Sequence, residues 1–165
     1  MAEQAGAFLE VEHLAKAFEI GGPLRRQKVH AVSDVSFQIR RGRVTVIVGE
    51  SGSGKSTVAR LIARLIEPTG GVIRFAGRTF GARLGRRQLL ALRSQIQMIF
   101  QDPFGALNPF YSVGHHLTRP LRNYGKIRSG REARERALRT LESVGLTPAA
   151  DYIDKYPYEL SGGQR

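Results

Sequence analysis

The chain has 165 residues, 41% of them hydrophobic and 24% charged, which are values typical of a folded domain with a sizeable core. No apolar run approaches the ~18 residues that a membrane-spanning helix needs, and the first residues lack the basic and apolar regions of a signal peptide, so the sequence does not indicate an integral membrane or secreted protein. The sequence contains no cysteine, which excludes disulfide bonds and thiolate metal sites. Proteins without disulfide bonds are common in the cytosol.

The net charge of +12, from 26 basic and 14 acidic residues, has two interpretations. It indicates either a nucleic-acid partner or a solvated basic face near anionic lipid headgroups. The basic residues are spread along the whole chain, and no aromatic residues alternate with them as in a stacking platform. We therefore expect no specific nucleic-acid partner. The basic residues include Arg25, Arg26, Arg40, Arg41, Arg86, Arg87, Arg131 and Arg134.

The first part of the chain has the alternating pattern of β-strands. Residues 7–12 alternate, residues 13–20 follow them, and residues 29–39 alternate again after a basic segment at 21–28 that contains glycine and proline. A turn at residues 41–42 leads into the next element. The pattern predicts a β-rich N-terminal lobe wrapped onto an α/β core.

An almost wholly apolar, β-branched run at residues 44–48 predicts a parallel strand that is buried on both faces. Beyond a loop of glycine and serine, apolar residues at helical spacing predict a helix over residues 54–66. The loop fits G-x-x-x-x-G-K-[ST], the phosphate-binding motif, and lies between a strand and a helix as that motif requires. Its residues are Gly49, Glu50, Ser51, Gly52, Ser53, Gly54, Lys55, Ser56 and Thr57.

The residue types of this loop suit phosphate. Its three glycines permit positive φ and a close approach to a ligand, so that successive N–H groups form an anion nest at a helix N-terminus. We predict that Lys55 reaches the β- and γ-phosphates and that the Ser56 hydroxyl is a ligand of Mg²⁺. The alternative is a glycine–serine turn that matches by chance, which average residue frequencies make roughly a one per cent event. The sequence therefore predicts a nucleotide site.

Several shorter elements follow the loop and its helix. Residues 67–71 contain the stop signals of a helix, residues 72–75 predict a strand, and residues 88–93 predict a short helix. Residues 96–100 predict another strand, which ends at Gln101.

The pattern then changes to short helical segments divided by proline and glycine. Ser129 and Glu132 have the spacing of a capping box, and the helix that they open is predicted to stop at Gly145. We therefore predict two parts, namely a β lobe with the phosphate-loop core at residues 1–103 and a helical subdomain at residues 104–165.

The chain ends in Leu160-Ser161-Gly162-Gly163-Gln164-Arg165, which in isolation is a flexible loop. Here it follows a phosphate loop, a glutamine at a strand end and a helical segment, and in that order the chain resembles the ATP-binding-cassette (ABC) ATPases, whose signature is LSGGQ. The resemblance covers essentially all 165 residues. It implies an α/β fold with a P-loop NTPase core and a mostly parallel sheet, an N-terminal antiparallel β lobe and a helical subdomain, without the C-terminal part of the ABC domain.

The resemblance also implies roles for single residues, with ATP and Mg²⁺ as ligands. Phe18 is similar to the aromatic that stacks on adenine, and the alternative is a core aromatic. Gln101 is similar to the Q-loop glutamine, which senses the γ-phosphate through Mg²⁺ or water and couples to a membrane partner, and the alternative is a polar strand end. Lys55 and Gln101 are then the implied catalytic residues, and Ser56 and Gln101 the implied metal ligands. The signature residues, which in the family contact the ATP of a second, head-to-tail subunit, are Ser161, Gly162, Gly163 and Gln164.

A finer resemblance lies in residues 96–109, where QDP is followed by a small residue and Leu-Asn-Pro, and in residues 48–57 and 65–71. These stretches resemble the ATPase subunits of bacterial oligopeptide, dipeptide and nickel importers. The resemblance implies hydrolysis of ATP to ADP and phosphate to energise import of peptides or nickel. It implies a second ABC ATPase subunit and transmembrane permease subunits as partners, an extracytoplasmic binding protein acting indirectly, and a peripheral position on the cytoplasmic face of the inner membrane.

The chain also departs from the family pattern, which continues beyond the signature with a Walker B strand, a catalytic glutamate, a D-loop and a switch histidine. All four histidines here precede the signature. We therefore interpret the chain as a fragment or truncated product, expect little ATP hydrolysis from it alone, and expect an unpaired apolar edge at residues 44–48. The alternatives are a soluble ABC-type ATPase of translation or DNA repair, and a nucleotide-binding remnant without turnover. The QDP…LNP stretch and the short spacing from Gly54 to Gln101 argue against the soluble class.

Overall fold

The computed structural model describes residues 7–22, 25–81 and 83–165, so two residues of the predicted breaker segment, 23 and 24, lie outside the described residues. The chain divides into two compact units, Met1–Met98 and Ile99–Arg165. No helix in the described part of the chain is long and apolar enough to cross a bilayer.

The first unit is built on an antiparallel sheet. Among the described residues it has four strands in the order β2-β1-β3-β4. The strands are β1 (Ala7–Ile20), β2 (Gln27–Arg40), β3 (Gly70–Phe75) and β4 (Arg78–Phe80). The predicted N-terminal β lobe is confirmed, and its first strand extends beyond residue 12 to Ile20.

β1 continues past residue 12 because an irregularity corrects its alternation. The register of the β1–β2 ladder shifts between Val11 and Leu14, and His13 takes a φ of 50° there. The shift keeps Leu9, Val11 and Leu14 buried on the same side although their spacing is not strictly two. The core of the first unit consists of Leu9, Val11, Leu14, Val32, Val58, Leu61, Ile73, Phe75, Phe80 and Leu92.

Two helices complete the first unit, α1 (Lys55–Ile62) and α2 (Arg86–Arg93). α1 ends four residues before the predicted end at residue 66, because Arg64 takes a φ of 53° and turns inward. The Arg64 guanidinium donates to the carbonyls of Phe80 and Gly81 at 2.8 and 2.6 Å, and Arg93 donates to the Arg64 carbonyl at 2.6 Å. Burial lowers the pKa of Arg64, and the nearby Glu67 carboxylate acts in the opposite direction.

The predicted strands at residues 44–48 and 96–100 are wrong, since neither segment is a strand in the structure. The mostly parallel sheet that the resemblance implies is not observed either, because the described strands pair only with one another and only in antiparallel orientation. A segment without a hydrogen-bonded neighbouring strand does not belong to a sheet, whatever the β propensity of its residues. Val44 is 92% exposed, Val48 83% and Ile99 95%. The prediction that residues 44–48 are buried on both faces is therefore also wrong, whereas their contact with water agrees with the expected unpaired apolar edge.

The second unit is helical. It contains α3 (Pro103–Ala106), α4 (Val113–Asn123), α5 (Gly130–Ser143) and α6 (Ala150–Ile153), followed by two short 3₁₀ turns at Pro157–Glu159 and Gly162–Gln164. Buried side chains of α5, of α6 and of the residue before α6 form its core, namely Ala137, Leu141, Ala149 and Ile153.

The predicted capping box at the start of α5 is formed in part. The Ser129 hydroxyl accepts from the Glu132 amide at 3.1 Å, as a cap does. The Glu132 carboxylate, however, accepts from the Arg128 amide at 3.0 Å rather than from that of Ser129. This bond is the largest of the effects that lower the pKa of Glu132. The predicted stop at Gly145 is confirmed, because α5 ends at Ser143 and Gly145 has a φ of 82°.

We expect Ile73→Ala to destabilise the chain by about 2–5 kcal/mol, because Ile73 is fully buried in β3 and its loss leaves a cavity. Val44→Ala is the matched control and should cost less than about 0.5 kcal/mol, since that side chain is exposed. Urea denaturation followed by circular dichroism measures both. A loss from Val44→Ala as large as that from Ile73→Ala would contradict the exposed position of residues 44–48.

Candidate nucleotide-binding site

The loop between residues 44–48 and α1 has the backbone that its glycines predict. Gly49, Gly52 and Gly54 have φ of 155°, 82° and 90°, values that side-chain-bearing residues rarely adopt. The Ser53 amide donates to the Glu50 carbonyl at 3.2 Å, and the Val58 amide donates to the Gly54 carbonyl at 2.9 Å. The loop is therefore a tight turn that runs directly into the first turn of α1.

The last glycine of the loop lies against β2. A Cβ atom placed on Gly54 would lie 2.5 Å from the Ala31 carbonyl oxygen and 3.6 Å from a Val32 methyl. The β1–β2 register shifts at this point, because Lys16 pairs with Val32 whereas Ala17 pairs with His30. Ala31 falls within the shift. Gly54 is thus required both by its φ and by this close approach.

Lys55 lies inside the loop. Its ammonium donates to the carbonyls of Gly49 at 2.8 Å and Glu50 at 2.5 Å, and to the Ser53 hydroxyl at 3.4 Å. Each acceptor is a neutral oxygen of the loop, so no carboxylate offsets the ammonium charge among these contacts. This arrangement places a full positive charge where an anion would bind.

The start of α1 supplies further groups that suit a polyphosphate. Ser56 is exposed and Thr57 half-buried, and the first turn contains no acidic residue. A helix N-terminus favours negative charge, and hydroxyl oxygen is a ligand type that Mg²⁺ accepts. The glycine backbone, the uncompensated lysine and the exposed hydroxyl together fit a phosphate chain with its metal.

Phe18 lies on β1, opposite Val29 of β2. Its ring is 38% exposed and lies outside the buried core of the first unit, which does not support the alternative of a core aromatic. The Lys16 ammonium is 5.0 Å from the ring centroid. Val29 of β2 pairs with Phe18, and Ala31 and Val32 of the same strand lie against Gly54, so the structure brings Phe18 and the loop to the same part of the sheet.

The other predicted residues belong to the second unit. Gln101 is exposed and lies just before α3. In the signature loop the Ser161 amide donates to the Gln164 side-chain oxygen at 3.0 Å, and the Gln164 amide donates to the Ser161 carbonyl at 3.0 Å. Leu160 is buried beside them. The signature is therefore a folded turn with an exposed Ser161-Gly162-Gly163 segment.

Sequence reasoning missed two residues near Phe18, Lys16 and Thr69. Thr69 lies in a stretch that was interpreted only as a helix stop, yet its hydroxyl contacts β1 more than fifty positions earlier. No local pattern indicates a contact over that separation.

Comparison with known proteins identifies the family of this chain. A family model described as ABC transporter matches residues 32–165, which include the phosphate loop and the signature. The chain belongs to the ABC transporter family.

Two curated relatives match nearly the whole chain. The probable peptide ABC transporter ATP-binding protein y4tS of Sinorhizobium fredii is 43% identical over 162 residues, which are 96% of this chain and 45% of that protein. The glutathione import ATP-binding protein GsiA of Escherichia coli is 44% identical over 160 residues, which are 95% of this chain and 25% of that protein. The chain thus spans about half the length of the first relative and a quarter of the second.

Solved ABC cassettes have the same fold. The ATP-binding cassette MJ0796, solved as a dimer with ADP and Pi, has a TM-score of 0.76 at 29% identity, and the match covers 94% of this chain and 64% of that one. The cassette cbiO1 of Clostridium perfringens has a TM-score of 0.68 at 28% identity, covering 96% of this chain and 57% of that one. The predicted α/β class of the ABC ATPases is confirmed.

We expect Lys55→Ala to abolish measurable Mg·ATP binding, because the variant lacks the full positive charge in the loop. Arg86→Ala and Arg87→Ala are the controls, since both remove an exposed cation from α2 and should bind as the unaltered chain does. Isothermal titration calorimetry on folded protein measures all three. Equal affinities of the unaltered chain and Lys55→Ala for Mg·ATP would show that the loop is not part of the ATP site.

Proposed function

We propose that this chain is the ATP-binding part of an ATPase that energises the import of peptides through an ABC transporter. The main support for ATP binding is the loop around Lys55, which has positive-φ glycines and an ammonium group without a carboxylate partner among its contacts. Support for the cargo comes from the printed names of relatives more than 40% identical, a peptide transporter and a glutathione importer. Neither name supports the nickel alternative.

In this proposal the loop binds the phosphate chain of ATP. Its N–H groups and the Lys55 ammonium contact the β- and γ-phosphate oxygens, for which Lys55 exchanges its present bonds to the loop carbonyls. The Ser56 hydroxyl would hold Mg²⁺, which neutralises phosphate charge when bound. Glu50, Ser51, Ser53 and Thr57 complete the loop. Phe18 contributes the base contact, which favours a nucleotide over bare phosphate.

The signature turn is proposed to act in a dimer. Ser161, Gly162 and Gly163 are exposed on the second unit, so a partner surface can reach them. The MJ0796 cassette, which this chain resembles, is described as dimeric. We propose that Ser161 to Gln164 contact the ATP of a second ABC subunit, and that permease subunits at the cytoplasmic face of the membrane and, indirectly, a substrate-binding protein complete the transporter.

Uptake of labelled short peptides tests this function. Cells that lack the gene for this chain should lose ATP-dependent uptake, and the unaltered gene or an Arg86→Ala version should restore it. A Lys55→Ala version should not. Normal peptide uptake without the gene would disprove the proposed cargo, and recovery by Lys55→Ala would disprove the role of ATP.

Phe18→Ala is expected to weaken ATP binding by roughly 1–3 kcal/mol, the usual worth of stacking a base on an aromatic ring. Tripolyphosphate, which has no base, should bind unchanged. Ile20→Ala is the matched control, because Ile20 is an exposed apolar residue two positions further along β1. Calorimetry with both ligands measures the difference, and equal weakening of both would show that Phe18 acts only in the sheet.

We expect residues 1–165 alone to release phosphate from ATP no faster than their Lys55→Ala variant. In-line attack needs a group that orients and deprotonates water, and Asp102 precedes Pro103 at the start of α3 rather than ending a buried strand. A coupled phosphate-release assay measures both rates. Hydrolysis that depends on Lys55 would show that these residues already hold a complete catalytic site.

A further inference from the structure

Thr69 ties the segment after α1 to the part of β1 that carries Phe18. Its amide donates to the Ala15 carbonyl at 2.9 Å, and its hydroxyl donates to the same carbonyl at 3.1 Å. The hydroxyl also accepts from the Ala17 amide at 3.2 Å. A carbonyl oxygen has two lone pairs and a hydroxyl both donates and accepts, so all three bonds are made together.

The bonds of Thr69 lie where the pairing of β1 with β3 stops. The last pair of the β1–β3 ladder is Ala15 with Gly70, at the first residue of β3. On the other side of β1 the ladder with β2 is irregular on both sides of Lys16. Thr69 therefore supplies the Ala17 amide with a partner just before Phe18, at a point where the sheet is locally weak.

Lys16 makes a second connection between the same two segments. Its ammonium donates to the Glu67 carbonyl at 2.7 Å and lies 5.0 Å from the centroid of the Phe18 ring. Lys16 and Phe18 are two positions apart on a strand and so share one face. The Lys16 ammonium thus contacts both the Glu67 carbonyl and the Phe18 ring.

We infer that Thr69 and Lys16 form a clamp that holds Phe18 in position for the base of the nucleotide. The inference rests on the proposed base contact of Phe18. Both are positioning residues that act through that ring, and neither is proposed to touch the ligand. A ring fixed before binding loses less freedom when the base arrives, which strengthens binding without a new contact.

The clamp and the phosphate loop lie at opposite ends of α1 in the sequence. Residues 67–69, which contact Lys16 and the Ala17 amide, follow α1, and the phosphate loop precedes the same helix, so residues 49–69 run from one subsite to the other. The base subsite therefore depends on a residue that contacts no phosphate. A residue that only stabilised the phosphate loop would affect the binding of phosphate as well as of the base, whereas the clamp affects the base alone.

Thr69→Val removes the hydroxyl while keeping the shape of the side chain. We expect ATP to bind about three- to tenfold more weakly, the effect of a lost hydrogen bond on a positioned group. Tripolyphosphate should bind within about twofold of the unaltered chain, because the loop is intact. Thr69→Ser retains the hydroxyl and should restore ATP affinity. Lys16→Met should weaken ATP about threefold through the lost cation–ring contact and again spare tripolyphosphate.

Calorimetry with ATP and tripolyphosphate on these variants, on Phe18→Ala and on the Phe18→Ala/Thr69→Val double variant tests the inference. In the absence of the Phe18 ring, Thr69→Val should have no further effect on ATP. An equal loss of both ligands in Thr69→Val, or an undiminished loss in the double variant, would overturn the clamp. Lys16→Met decides the matter if Thr69→Val does not melt as a folded protein.

The same experiment separates the clamp from the function on which it rests. If Phe18→Ala weakens ATP but Thr69→Val and Lys16→Met bind as the unaltered chain does, only the clamp is wrong. If Phe18→Ala itself leaves ATP affinity unchanged, the proposed base contact is wrong, and the clamp that rests on it is wrong too.

Discussion

The contact of Gly54 with the Ala31 carbonyl controls the geometry of the candidate site. At this point the phosphate loop, the start of α1 and the shifted register of β2 meet with no room for a side chain. Any other residue would force either the helix away from the sheet or the loop out of its left-handed backbone. The conformation of the loop is thus set by the sheet as well as by its own glycines, and the same part of β2 pairs with the strand that carries Phe18.

Local physical chemistry predicted those parts of the structure that depend on a few neighbouring residues. The phosphate loop, the cap at Ser129 and the stop at Gly145 follow from backbone preferences that any context preserves. Residues 44–48 differ, because apolar β-branched residues become a strand only when another strand pairs with them. The end of α1 differs for a similar reason. Arg64 leaves the helix to bond carbonyls of Phe80 and Gly81, which the pattern of α1 does not contain.

The candidate site likewise has a part that the sequence predicts and a part that it does not. The residues proposed to bind phosphate are close in sequence and have a characteristic spacing, so the sequence predicts the loop residue by residue. The surroundings of Phe18 are assembled from three segments, and the contacts of Lys16 and Thr69 with their partners span more than fifty positions. Threonine in a connecting segment is common and carries no signal of its own. Such supporting contacts are visible only once the chain is folded.

The exposed segment at residues 44–48 affects how this chain meets other polypeptides. Five consecutive residues with high β propensity and no charge present unpaired backbone donors and acceptors together with apolar side chains. An extended chain nearby can pair with these backbone groups, as in the first steps of fibril growth. Arg43 and Glu50 stand close to the two ends of this segment, and their charges oppose stacking of identical copies.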